Sequence, residues 1–152
     1  AGPSDAVGAK VTDLVTALPQ VASASWSCIA TGGATCTAGS VSGDIGDTVN
    51  VPKNGTLSYT LVVTTTGFND LGWLDSAGHP QTESLRVTER LRRTGTTISY
   101  AVTVEDAAVL AAPWVMRPRT LTLSSEELSE PAPCVEKALE HVVDGTHHDN
   151  GR

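Results

Sequence analysis

Apolar and polar residues alternate with a period of two over residues 57–64. Leu57, Tyr59, Leu61 and Val63 point one way, Ser58, Thr60 and Thr64 the other, which predicts a half-buried strand. The same period recurs in "SLRVTERLRR" and "TISYAVTVED", which flank Thr94-Gly95. A two-residue turn there predicts a hairpin with Leu91 opposite Ile98, Val87 opposite Val102 and Leu85 opposite Val104 on an apolar face. Arg92, Arg90 and Arg86 then face Thr97, Ser99 and Thr103 on the other side, and Glu89, opposite Tyr100, interrupts the apolar face.

Short β-branched runs punctuated by "LPQ", "TGG", "SGD" and "PKNG" fill residues 1–67, a pattern of short strands and tight turns. A further strand is expected at 119–123. A short helix is expected at 133–143, with Val135, Leu139 and Val142 on one side and Gly145 as its cap. The fold class read from these patterns is mainly β: an antiparallel β-sandwich or partial barrel with a short C-terminal helix.

Composition divides the chain near its middle. Residues 1–67 hold 18 Ser/Thr but only Lys10 and Lys53 as cations, whereas the remainder holds eight Lys/Arg, thirteen Asp/Glu and all four His. A formal charge of −7 speaks against a nucleic-acid partner. The arginines are also interleaved with Glu and Thr, which reads as no basic stripe to hold phosphates. No apolar run reaches the roughly 20 residues needed to span a bilayer. The opening "AGPSDAVGAK" has neither a basic start nor an apolar h-region, the kind of start that a cleaved signal peptide leaves. Cys28 and Cys36 bracket a turn centred on Gly32, so a hairpin there would place them within reach of a disulfide. That bridge implies an extracellular, cell-surface or periplasmic location.

Several motifs carry resemblances. "GPSDA", "VTD" followed by "LP", Trp26-x-Cys28 with Cys36, and the strand "GTLSYT" together resemble the DUF11 family of bacterial surface proteins over about residues 2–63. That resemblance implies an Ig-like structural or adhesive module without catalytic residues. Residues 61–150, with "TTGFND", "AGHP", "LRVTERLRR", "VTVED", "APW" and "PCVEK", resemble uncharacterised exported bacterial β proteins of acidobacterial type. Both families have strands that this chain lacks, and both resemblances include "TLVV". The expected organisation is therefore a DUF11-like piece over 1–66 and a β-meander piece with a helix over 67–152, fused through the shared strand 57–64. A natural or an engineered chimera without activity would read the same way.

Candidate chemistry is sparse. A small ligand could sit against Trp73, Glu89, Tyr100 and Trp114. Zinc could be held by His79, Cys134, His141, His147 and His148, although C-x6-H-x5-H-H is no established closed-site spacing. Asn69, Asp70, Asp75 and His79 crowd one loop in the manner of calcium ligands, but the same residues also form turns, with Trp73 and Leu74 expected to pin the loop to the core. No Gly-x-Ser-x-Gly, no activated Cys-His setting, no Ser/His/Asp grouping and no phosphate-cradling Gly loop is present, so no enzymatic activity and no cofactor is expected. A sandwich short of strands exposes backbone edges. Self-association through those edges, into oligomers or filaments, is the expected partnership.

Overall fold

The computed structural model describes residues 4–126. Among them the chain runs through β1 (Ala6–Asp13), a 3-10 turn (Val15–Ala17), β2 (Val21–Thr31), β3 (Ser40–Ser42), β4 (Ile45–Val51), β5 (Thr56–Thr65), β6 (Arg86–Thr94), β7 (Thr97–Glu105), β8 (Trp114–Val115) and β9 (Arg119–Thr122). The expected helix at 133–143 lies outside the described residues. All pairing is antiparallel. β3, β2, β5, β6 and β7 form one sheet in that order, β8 and β9 share the outer edge of β7, and β1 pairs with β4 as a separate ribbon. The sheet does not close into a barrel, so the architecture is that of a β-sandwich.

The alternation at 57–64 forms the spine of this fold. β5 pairs with β2 along one edge and with β6 along the other, so the two compositional halves meet in one sheet. Register aligns Ala24, Trp26 and Cys28 with Val63, Leu61 and Tyr59, and Leu61 and Val63 in turn with Leu91 and Glu89. These residues make the inner face. The ribbon covers it on the β2–β5 side: Ile45, Asp47 and Val49 of β4 are buried while Gly46, Thr48 and Asn50 are exposed, a strict period of two. Trp26, 3% exposed, is the largest buried side chain of this layer, and its indole N–H donates to the Asp44 carbonyl at 2.9 Å. A second apolar cluster centres on Leu85, Val102 and Val104, covered by Phe68, Leu74, Leu110, Trp114 and Met116 from the segments that flank the hairpin.

Two turns explain local departures from expectation. The β6–β7 hairpin pairs Thr94 with Thr97 and Leu91 with Tyr100, two residues away from the expected register. The loop is Gly95-Thr96, with Gly95 at φ 60°. A tight hairpin of this hand needs a positive φ at its first loop position, which glycine adopts without strain and threonine does not, so Gly95 rather than Thr94 takes that place. A slip of two residues preserves the faces, and every side chain stays on its expected side. After β2, Gly32 turns the chain at φ 63°, where a Cβ would meet the Asn54 carbonyl oxygen at 2.9 Å. The chain then crosses to the ribbon, where Thr35 bridges to Asn50.

Candidate functional site

β1 contributes little to the core, since only Ala9 and Val11 are even partly buried. Among the described residues it pairs with β4 alone, leaving its other edge of N–H and C=O groups without a strand. That edge overhangs a cleft of about 550 Å³ lined by Val11, Thr12 and Asp13 of β1, by Ile45, and by Leu57, Tyr59, Leu61, Leu91 and Ile98 from the sheet below. Arg93 stands at its hairpin end. A second groove of about 510 Å³ continues past Arg93 and Ile98 to Leu121 and Leu123, which are 50% and 70% exposed. An open backbone edge above an apolar floor accepts an extended segment: the edge supplies hydrogen bonds and the floor takes every second side chain.

A polar network braces the ribbon beside this cleft. Asp47 is 2% exposed and accepts hydrogen bonds from the Tyr59 hydroxyl at 2.7 Å and the Thr37 hydroxyl at 2.8 Å. Burial works to raise its pKa, but those bonds and the backbone N–H groups of Thr37 and Thr48 outweigh it and hold the carboxyl below the ordinary carboxylate range. Burial and the adjacent Asp47 push the Tyr59 phenol upward. The Cys28–Cys36 disulfide forms beside this network, with Cα atoms 6.3 Å apart, and ties the sheet to the segment that meets β4. The pairing is the expected one, but its frame differs: Cys28 lies opposite Tyr59, and Cys36 sits beyond the crossing rather than on a strand paired with β2.

The candidate ligand residues are only partly brought together. The Tyr100 hydroxyl donates to Glu89, a diagonal contact created by the shifted register, and that bond, with burial and the charge of Glu89, pushes the Tyr100 pKa up to about 12. Trp114 packs on the Leu85 cluster, and none of the four residues lines either groove. Trp73 is 67% exposed, so of the pair expected to pin its loop only Leu74 packs on the core, together with Phe68. In that loop Asn69 accepts from the Leu71 N–H. Asp75 accepts from the backbone of Ala77 and His79 and pairs with the His79 ring at 2.7 Å. These are turn-forming bonds. Cys134, His141, His147 and His148 lie outside the described residues. Within them, Cys28, Cys36 and Asp47 are the three potential metal ligands that come within 4.8 Å of one another, and the two sulfurs are bonded to each other.

Sequence reasoning missed Asp106, which is 2% exposed and accepts from the Thr82 backbone and hydroxyl, both at 2.8 Å. It thereby joins the two segments that cover the Leu85 cluster. Burial raises its pKa, but the Thr82 and Ala108 hydrogen bonds prevail and lower it. The cleft too was missed, although its signal was present: Leu57, Leu61, Leu91 and Ile98 all fall on inner faces, and one narrow ribbon cannot cover them all.

These groups set the pH dependence of stability. The lowered carboxyls of Asp47 and Asp106 contribute stability that is complete above the unfolded value of about 3.9 and is lost as pH falls through their folded values. The raised phenols of Tyr59 and Tyr100 contribute stability that is complete below about pH 10 and is lost as pH rises through their folded values. Urea unfolding is expected to give a plateau between roughly pH 5 and 9 with decline on both sides, and Tyr100→Phe should flatten the alkaline decline. An alkaline limb unchanged by that substitution would refute the assignment.

No family model, curated protein or solved structure matches the chain. The resemblances to DUF11 and to the exported β proteins rest on their motifs.

Proposed function

We propose that the chain is a structural or adhesive module of the bacterial cell exterior that assembles by strand addition and acts without catalysis. The observation that carries this reading is the edge of β1 that no strand among the described residues pairs, above the apolar floor of Leu57, Leu61, Leu91 and Ile98. A strand from a neighbouring subunit would extend the two-stranded ribbon to three, pair the β1 backbone and cover the floor. The disulfide is compatible with an extracellular or periplasmic location, and no helix among the described residues is long and apolar enough to cross a membrane. Secretion and adhesion belong to the proposal.

Light scattering behind size exclusion tests it. At micromolar concentration and neutral pH the protein should run as oligomers. Ile98→Lys, which places a charge in the cleft, should weaken association tenfold or more, because burying an unpaired ammonium costs more than about 1.4 kcal/mol. A wild-type chain that stays monomeric at neutral pH would sink the proposal.

A further inference from the structure

The outer face of the sheet differs from what its sequence suggests. In "LRVTERLRR" the cations and Glu89 are interleaved, but the pleat separates them: Glu89 turns inward to Tyr100, while Arg86, Arg90 and Arg92 line the outer face of β6 with Thr88 between them. A basic stripe therefore exists where interleaving had spoken against one. At about 3.3 Å per residue, Arg86 and Arg90 stand ~13 Å apart and Arg90 and Arg92 ~7 Å apart. All three are exposed. Among the described residues His79–Asp75 forms the one ion pair, so no carboxylate lies within 4.0 Å of these guanidinium groups. The neighbouring rows of the same face are mainly hydroxyls, Ser58, Thr60 and Thr64 on β5 and Thr97, Ser99 and Thr103 on β7, with Val62 and Ala101 on either side of Arg90. Glu105, opposite Arg86, is the acid on these three strands' outer face.

We propose that this face binds an extended anionic polysaccharide, its carboxylate or sulfate groups on Arg86, Arg90 and Arg92 and its sugar hydroxyls on the flanking Ser and Thr rows. Guanidinium forks match carboxylate and sulfate geometry in a bidentate way, and all three cations here are arginine. A nucleic acid fits less well. The three central strands present no aromatic side chain on this face for bases to stack on. The site lies on the opposite side of the sheet from the cleft and does not depend on it. Strand-added oligomers would present several stripes at once and gain avidity.

Retention on immobilised heparin, a sulfated uronate polymer, tests the proposal, with a polyuronate and a DNA duplex as soluble competitors. The protein should bind at about 50 mM NaCl and elute as salt rises, since exposed ion pairs are screened. Arg86→Ala, Arg90→Ala and Arg92→Ala together should weaken binding at least about tenfold, some two- to fivefold for each arginine. Lys10→Ala, Lys53→Ala and Arg117→Ala together, an equal loss of charge elsewhere, should leave retention unchanged. Should the triple variant fold poorly, Ser99→Glu, which keeps every arginine and places a carboxylate opposite Arg92, should reduce binding as well. Ile98→Lys should keep single-site binding, which separates this proposal from the one about the cleft. Failure of the wild type to bind at low salt, equal binding by the triple variant, or competition by DNA stronger than by the polyuronate would each overturn it.

Discussion

Replacing Trp26 with alanine is expected to cost about 3–5 kcal/mol, the range for deleting a large aromatic from a core. Small folded proteins are stable by only about 5–15 kcal/mol, so the variant should unfold well below the wild-type midpoint in urea. Three separate losses combine at this position. The indole is 3% exposed, its N–H bond to Asp44 fastens the sheet to the start of the ribbon, and its ring lies 5.8 Å from that of Tyr59 at 45°. The Asp44 side chain in turn accepts from the Thr16 N–H and hydroxyl at 2.8 and 2.9 Å, so loosening Asp44 also releases the turn that leads into β2. Trp26→Phe keeps most of the apolar area and loses the hydrogen bond, and should cost about 1–2 kcal/mol. If Trp26→Ala costs less than about 1 kcal/mol, the ribbon is not packed on the sheet as described.

What the sequence discloses follows from how far each feature reaches along the chain. Strand β5, Thr56–Thr65, was legible to within a residue at each end, because the alternation over 57–64 is local. The hairpin faces were legible for the same reason. Its register was not, since that depends on which of two adjacent residues takes a positive φ, and a two-residue slip leaves the apolar pattern unchanged. The disulfide was readable from spacing and turn residues, but the crossing between layers that frames it comes from the contact between Thr35 and Asn50, fifteen positions apart. Layering is the least local feature of all. Nothing within "KVTD" states that its strand would overhang Leu91 and Ile98, more than seventy residues later. Charge misled in the other direction: a one-dimensional count mixes Glu89 with the arginines, and the pleat puts it on the face opposite Arg86, Arg90 and Arg92.

Asp47→Ala is the second large effect, expected at about 2–4 kcal/mol, because it leaves the Tyr59 hydroxyl and both Thr37 donors without their acceptor at a buried position. The sequence already held a hint of it. In "IGDTVNV" a carboxylate shares a face with Ile45 and Val49, and an acid on a buried strand face requires donors. Tyr59→Phe alone should cost less, about 1–2 kcal/mol, since Asp47 keeps its Thr37 bonds. The double variant Asp47→Ala with Tyr59→Phe should be more stable than the sum of the single losses implies, by about 1 kcal/mol or more, as expected for two groups in direct contact. The pH dependence provides a separate check. The Asp47 carboxylate accepts all of these bonds only while ionised, and its folded pKa lies below the ordinary range. The penalty of Asp47→Asn should therefore be full at neutral pH and shrink as pH falls below about 4, where protonation removes the advantage of the wild type. Urea titrations of both proteins at pH 7 and near pH 3 would reveal it. A penalty that does not change with pH would mean that Asp47 stabilises the ribbon by shape alone and that its charge plays no part.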